Sequence, residues 1–255
     1  MVDTHCHLGR CEDSPEAVLG RAAEAGLTRL LTVGLDEQSN REQIALAEAF
    51  DPVFVAVGRH PNDAGGFDDA AADDLRVLAG HGKVRAIGET GLDFYRDTAE
   101  PEDQRRAFAA QIGIALETGL PLVIHLRDQQ DSDEAAAETF SMLDAAEGDL
   151  TVILHCFSAP DRALEAVERG WYCSFAGNVT YPANEDLRVA AAKVPDELIL
   201  VETDSPYLTP QSRRRERNEP ALVVETAALL ADLRGTSPDE FDRIVTENSG
   251  RLFDW

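Results

Sequence analysis

The 255-residue chain is predicted to fold as an α/β protein, a (β/α)8 TIM barrel built from a single domain over residues 1–255. Three observations lead to this prediction. Short apolar runs alternate with longer helix-like segments, eight such units follow one another, and the length fits a barrel of about 250 residues. No linker or break in composition divides the chain. A doubly wound open sheet is the competing interpretation, and periodicity does not separate the two.

The predicted strands are short and almost continuously apolar, which is typical of parallel strands covered by helices. In chain order they lie at Met1–Thr4, Arg29–Val33, Val53–Val57, Val84–Ile87, Leu120–Ile124, Thr151–Leu154, Trp171–Phe175 and Leu198–Val201.

Segments between the strands carry apolar residues at helical spacing, and several begin with a capping residue or proline, as Ser14-Pro15 does. Such segments include Pro15–Ala25, Gln38–Phe50, Asp69–Ala79, Glu102–Thr118 and Asp133–Ala145, with two more at Pro220–Leu233 and Pro238–Asn248. Before these last two helices, Thr209–Pro220 reads as a long loop that contains four arginines. This basic run is either a phosphate contact or an ordinary solvated loop.

The formal net charge of −25 is the most unusual bulk property, and Lys83 and Lys193 are the only lysines. A surface of this kind suggests adaptation to a salty, halophilic cytosol, so we expect stability to increase with KCl concentration in a denaturation series. Acidity disfavours nucleic-acid partners because phosphates are repelled. At about 1 M salt, however, the screening length falls to about 3 Å, so such a partner remains compatible with the charge.

The location predicted for the protein is cytoplasmic. No apolar run approaches the ~18 to 20 residues that span a membrane, and the first residues lack a signal-peptide pattern.

The four cysteines form no C-x-x-C pair, and we expect them to be free rather than joined in disulfides. They are Cys6, Cys11, Cys156 and Cys173.

Polar residues with metal-binding chemistry follow the predicted strands. They include five of the six histidines and three carboxylates: His5, His7, His60, Glu89, His125, His155, Glu202 and Asp204. Alternate residues such as His5 and His7 share one face of a strand, and barrel strand ends converge on one mouth. Each residue alone is weak evidence. Grouped imidazoles and carboxylates, however, are costly to bury unless cations balance them, and zinc or manganese accepts this ligand set.

Competing catalytic motifs are missing from the sequence. There is no G-x-S-x-G nucleophile elbow, no phosphate-binding loop and no dinucleotide glycine fingerprint.

Seven motifs follow one another along the chain. They are DTHCHL at Asp3–Leu8, GRHP at Gly58–Pro61, AIGETGLDFY at Ala86–Tyr95, LPLVIHLRD at Leu120–Asp128, HCFS at His155–Ser158, ETDSPYLTP at Glu202–Pro210 and RNEP at Arg217–Pro220. In this order they resemble the TatD-type metal-dependent deoxyribonuclease family, whose barrel is related to the amidohydrolases.

The resemblance implies a centre of two divalent metal ions, Mg, Mn or Zn. One ion would be held by His5, His7 and Asp204 and the other by His125 and His155, with Glu89 bridging both. The implied reaction is hydrolysis of DNA at its 3′ or 5′ ends, with single strands favoured, by a water that the two ions activate. Asp204 would accept the proton of that water, and Glu89 would set the separation of the ions.

Further roles are expected beside these ligands. His60 and Arg127 are placed to bind a phosphate, and Glu202 is a candidate for orienting a histidine ligand through a hydrogen bond. Neither a membrane nor an obligate protein partner is expected.

Three departures from the family pattern affect the substrate more than the chemistry. Asn62 replaces a common histidine, Ala159 replaces a glycine, and the loop before RNEP carries Arg215-Glu216.

Hydrolysis of an amide, ester or lactone, including a D-aminoacyl ester on tRNA, is the alternative activity. A metal-binding scaffold without turnover is the non-enzymatic alternative.

Overall fold

A computed structural model describes residues 1–96 and 98–255. Within these residues, eight strands form one parallel sheet in the order β1 to β8, with helices between them, which confirms the (β/α)8 barrel. The strands are β1 Val2–Cys6, β2 Arg29–Val33, β3 Val53–Val57, β4 Val84–Asp93, β5 Leu122–Arg127, β6 Val152–Leu154, β7 Tyr172–Phe175 and β8 Ile199–Val201. The α-helices are α1 Pro15–Glu24, α2 Glu37–Ala49, α3 Asp69–Ala79, α4 Pro101–Thr118, α5 Glu134–Asp144, α6 Ala163–Glu168, α7 Glu185–Lys193, α8 Val223–Arg234 and α9 Pro238–Phe253.

Strand β4 is the element that differs most from its predicted range. The prediction ended it at Ile87, but the strand continues through the polar and glycine-containing segment to Asp93. Pairing with β5 explains the extension, since Gly91 lies opposite His125 and Asp93 lies opposite Arg127. Backbone hydrogen bonding thus continues the strand through a segment in which Leu92 is the single large apolar side chain. The shorter prediction was wrong.

The chain divides into two compact units, of which the first comprises Met1–Thr32, Ala49–Phe54 and Cys156–Trp255. In this unit β1 pairs with β2, and β7 pairs with β8. The hydroxyl of Thr4 on β1 donates to the Val201 carbonyl on β8 at 3.0 Å. Strands β1 and β8 are therefore neighbours.

The second unit comprises Val33–Glu48 and Val55–His155. Helix α4 supports β4 through two buried glutamines. Gln104 Oε1 accepts from the Asp93 N–H at 2.9 Å, and Gln111 Nε2 donates to the Thr90 hydroxyl at 2.6 Å. These bonds fix the end of β4 that carries the polar residues.

Helix starts follow the predicted capping chemistry. Ser14 caps α1 and Ser237 caps α9, and each is followed by a proline at the first helical position. Helix α9 extends to Phe253, beyond the predicted end at Asn248, and the ring of Phe253 is buried. Among the described residues, no helix has the length and apolar character required to cross a membrane.

Candidate metal centre

In the first unit, two histidines and one carboxylate come together at the ends of β1 and β8. His5 and His7 are buried, with ring centroids 5.1 Å apart. Asp204 Oδ1 lies 3.3 Å from His7 Nε2 and 3.9 Å from His5 Nε2. The three side chains predicted to share one ion therefore present their ligand atoms to one another.

Backbone bonds hold these three residues in place. The Asp204 N–H donates to the His5 carbonyl at 2.9 Å, and the His7 N–H donates to the Ser205 carbonyl at 2.7 Å. The buried Asp3 carboxylate accepts from the Thr203 N–H at 2.9 Å and from the Thr203 hydroxyl at 2.6 Å. Asp3 was given no role from sequence, yet it joins the two strand ends that carry the ligands.

In the second unit, Glu89 lies at the centre of three histidines. Its Oε1 is 2.7 Å from His125 Nδ1, 3.1 Å from His155 Nε2 and 3.5 Å from His60 Nε2. Glu89 is only 2% exposed. Burial alone would raise its pKa, but the charges of His155 and His60 outweigh burial and hold the pKa well below its usual range. Glu89 is thus an ionised carboxylate in a buried site.

This donor set fits a divalent cation. Glu89 Oε1 faces His125 Nδ1 at 2.7 Å and His155 Nε2 at 3.1 Å, so the residues predicted to share this ion offer their ligand atoms to one another. His60 belongs to the same cluster, since one of its nitrogens lies within 4.8 Å of ligand atoms of Glu89 and His125. Imidazole nitrogen together with carboxylate oxygen suits zinc and manganese, and a buried negative charge is stabilised by a bound cation. The residues present can therefore hold a metal ion.

Two glycines allow β4 and β5 to approach closely beside Glu89. Gly91 has φ +137°, and a Cβ added there would lie 2.0 Å from the His125 carbonyl oxygen. Gly88 has the same φ, and its Cβ would lie 2.6 Å from the Val123 carbonyl oxygen. The G-E-T-G segment is therefore required by packing as well as by chemistry.

Replacing Gly91 with alanine is expected to destabilise the protein by about 3 kcal/mol or more, because strain at positive φ adds to a backbone overlap. Urea unfolding followed by circular dichroism measures this change. Gly113→Ala in α4 is the matched control, since a Cβ there meets no atom within 4 Å, and it should be neutral or slightly stabilising. Equal stability of the two variants would contradict the packing argument.

The remaining predicted site residues have distinct surroundings. His60 lies with the ligand group around Glu89, and its Nδ1 accepts from the Asn62 N–H at 3.0 Å. The Arg127 guanidinium lies 4.0 Å from the ring centroid of Tyr95, which is 56% exposed. Their phosphate-binding roles stay predictions.

Glu202 is fully buried, and its Oε1 accepts from the Cys156 N–H at 2.9 Å. Cys156 directly follows His155 in the chain. This bond anchors the backbone beside a predicted ligand, and the role of Glu202 in orienting a histidine stays a prediction.

Two arginines of the loop before α8 make contacts on the surface. Arg213 pairs with Glu216 and Glu225, and the Arg214 guanidinium stacks on Tyr181 at 4.5 Å from the ring centroid. The solvated-loop interpretation accounts for these contacts.

Asp93 is the main site residue that sequence reasoning missed. Its Oδ2 lies 3.1 Å from His125 Nε2, and the Asn62 amide donates to the same oxygen at 3.0 Å. Burial alone would raise the pKa of Asp93, but the hydrogen bond from His125 outweighs it and the pKa falls to about 2. Glu89, Gly91 and Asp93 alternate along β4, so continuing the strand past Ile87 would have placed Asp93 beside Glu89.

Comparison with known proteins identifies the family of the chain. Residues 2–254 match the family model described as TatD-related DNase. A metal-dependent hydrolase TatD from Mycobacterium tuberculosis is 40% identical, over 99% of this chain and 97% of the relative. The 3′-5′ ssDNA/RNA exonuclease TatD of Dickeya dadantii is 34% identical, over 93% of this chain and 91% of the relative.

Among solved structures, the TatD homologue YJJV of Escherichia coli superposes with a TM-score of 0.88 at 28% identity. The superposition covers 100% of this chain and 98% of that one. Full-length agreement in sequence and in structure leads to one conclusion: the chain is a metal-dependent hydrolase that belongs to the family of TatD-related DNases.

Proposed function

We propose that the protein is a 3′-5′ exonuclease that hydrolyses the phosphodiester bonds of single-stranded DNA with two divalent ions, Mg, Mn or Zn. The observation that carries the proposal is the buried Glu89 carboxylate with three histidine nitrogens around one of its oxygens. Relatives about one-third identical are named 3′-5′ ssDNA/RNA exonucleases, which supports both the substrate and the direction.

The ligand assignment follows the chemistry of the two groups of residues. His5, His7 and Asp204 would hold one ion, His125 and His155 would hold the other, and Glu89 would bind both. Divalent ions supply Lewis acidity, which lowers the pKa of water and stabilises negative charge on the phosphate.

The side chains of the protein carry the remaining steps. Asp204 would accept the proton of the attacking water, since its carboxylate is 14% exposed and therefore open to solvent. The proton leaves the nucleophile as it attacks phosphorus, and the bond from phosphorus to the leaving sugar oxygen breaks. His60 and Arg127 would donate to the phosphate oxygens and hold the bond in position.

Single strands are favoured as substrate by the surroundings of Arg127. Its guanidinium covers one face of Tyr95, and the exposed Tyr95 ring is available to a stacked base. Stacking of this kind contributes about 1–3 kcal/mol per base and requires bases that are not paired. A net charge of −25 opposes general attraction of DNA, so binding in the absence of metal should be weak.

A time course on 3′-labelled and 5′-labelled single-stranded DNA, in high KCl with added Mn²⁺, tests the proposal. We expect a 5′-labelled strand to shorten stepwise and a 3′ label to be released at once as a mononucleotide. EDTA should stop both reactions, and Mn²⁺ should restore them. Intact DNA after incubation with protein shown to contain two metals per chain would contradict the proposal and direct the search to esters and amides, including D-aminoacyl-tRNA.

A further inference from the structure

His125 has a carboxylate at each of its two ring nitrogens. Nδ1 lies 2.7 Å from Glu89 Oε1, and Nε2 lies 3.1 Å from Asp93 Oδ2. A neutral imidazole carries one N–H and one lone pair, and only the lone pair can bind a metal. Which carboxylate receives the N–H therefore decides which nitrogen is available to an ion.

Asp93 is held rigidly on the Nε2 side. The residue is fully buried, and its Oδ1 accepts from the backbone N–H groups of Tyr95 and Arg96, both at 3.0 Å. Gln104 Nε2 donates to the Asp93 carbonyl at 3.1 Å. The bonds to Oδ1 fix the carboxylate, and the bond to the carbonyl holds the backbone of Asp93. Oδ2 is therefore left directed at His125.

Asn62 completes the arrangement. The Thr98 hydroxyl donates to Asn62 Oδ1 at 3.0 Å, which turns the Asn62 amide nitrogen towards Asp93 Oδ2 at 3.0 Å. Oδ2 thus accepts one hydrogen bond from Asn62 and has a remaining lone pair on the side of His125. Only an N–H on Nε2 satisfies that lone pair.

We propose that Asp93, oriented by Asn62, is a positioning residue that keeps His125 as the Nε2–H tautomer and thereby makes Nδ1 its metal ligand. The inference rests on the proposed metal centre and adds to it the atom that binds and the group that selects this atom. A carboxylate behind a metal-binding histidine also fixes the ring and raises the basicity of its ligand nitrogen.

Asp93→Asn tests this role with almost no change in shape. The two backbone N–H groups of Tyr95 and Arg96 require an oxygen at the Oδ1 position, so the new amide nitrogen would face His125. An amide N–H in that place favours the lone pair on Nε2 and the proton on Nδ1. The variant should therefore bind metal weakly, although all its ligand residues are present.

The measurement is Zn²⁺ affinity by titration calorimetry, together with ¹H–¹⁵N NMR of histidine-labelled, zinc-loaded protein. In the natural protein we expect zinc on His125 Nδ1 and a slowly exchanging proton on Nε2. In Asp93→Asn we expect zinc affinity to fall by about 10- to 100-fold and the slowly exchanging Nε2 proton to disappear. Asp63→Asn is the control, because it removes the same charge from an exposed residue between β3 and α3. It should leave the zinc affinity and the NMR pattern unchanged.

The outcomes separate this inference from the proposed function. If Asp93→Asn keeps the natural zinc affinity and NMR pattern, the positioning role is wrong while the metal centre stands. If the natural protein itself binds no zinc, manganese or magnesium, the proposed function fails and the inference with it. A zinc-loaded natural protein with the proton on Nδ1 would overturn the inference even if the variant did not fold.

Discussion

Replacing Glu89 with glutamine is expected to abolish hydrolysis of single-stranded DNA and to reduce the metal content of the purified protein. The Glu89 carboxylate is buried and ionised, and one of its oxygens faces nitrogens of His60, His125 and His155. Glutamine keeps the shape but removes the negative charge that would balance a cation. Because loss of a residue that only supports a ligand costs about 10- to 100-fold, loss of this ligand should cost about 100-fold or more in turnover.

Steady-state turnover on labelled DNA and elemental analysis of metal content measure the effect of Glu89→Gln. Glu16→Gln is the matched control, since it removes the same charge from an exposed position on α1 and should leave both quantities unchanged. Turnover near that of the natural protein, with two metals still bound to Glu89→Gln, would show that the proposed centre is wrong.

Replacing Asp204 with asparagine should have an effect of similar size through a different step. Asp204 Oδ1 lies 3.3 Å from His7 Nε2, and we assign to this carboxylate the proton of the attacking water. Asparagine is a poor proton acceptor, so turnover should fall by about 100-fold or more. The backbone of Asp204 has φ 53°, a conformation that asparagine tolerates well, so the local fold should persist.

Separate values of kcat and KM decide which role Asp204 has. Loss of kcat, with folding and the thermal midpoint retained, is the expected result. Asp186→Asn, an exposed change on α7, is the control. A normal kcat with only a raised KM would rule out proton transfer and leave Asp204 as a binding residue.

Features that depend on local pattern could be predicted from the sequence alone. Apolar runs of strand length alternate with segments of helical period, and this alternation predicted parallel strands covered by helices. The structure decided between the predicted (β/α)8 barrel and the competing open sheet, in favour of the barrel. The candidate metal-binding residues followed from the same rule, because polar residues directly after parallel strands collect at one end of a sheet, and the resemblance to a known family implied which of them are ligands. His5 and Asp204, far apart in sequence, are joined in the structure by the backbone bond between them.

Contacts that depend on the pairing of distant segments were decided only by the tertiary structure. The polar end of β4 is a strand because Gly91, Leu92 and Asp93 pair with β5, and Leu92 alone does not form an apolar run that would signal this. The position of Asp93 at His125 Nε2 requires that pairing together with support from Gln104. The hydrogen-bond partners of a buried polar side chain depend on which segments pack around it in the folded protein. The tendency of a segment to form a strand or a helix depends instead largely on the residues next to each other in the sequence. The sequence therefore determined the alternation of strands and helices and the candidate ligands, and the fold decided which nitrogen of His125 faces Glu89 and which faces Asp93.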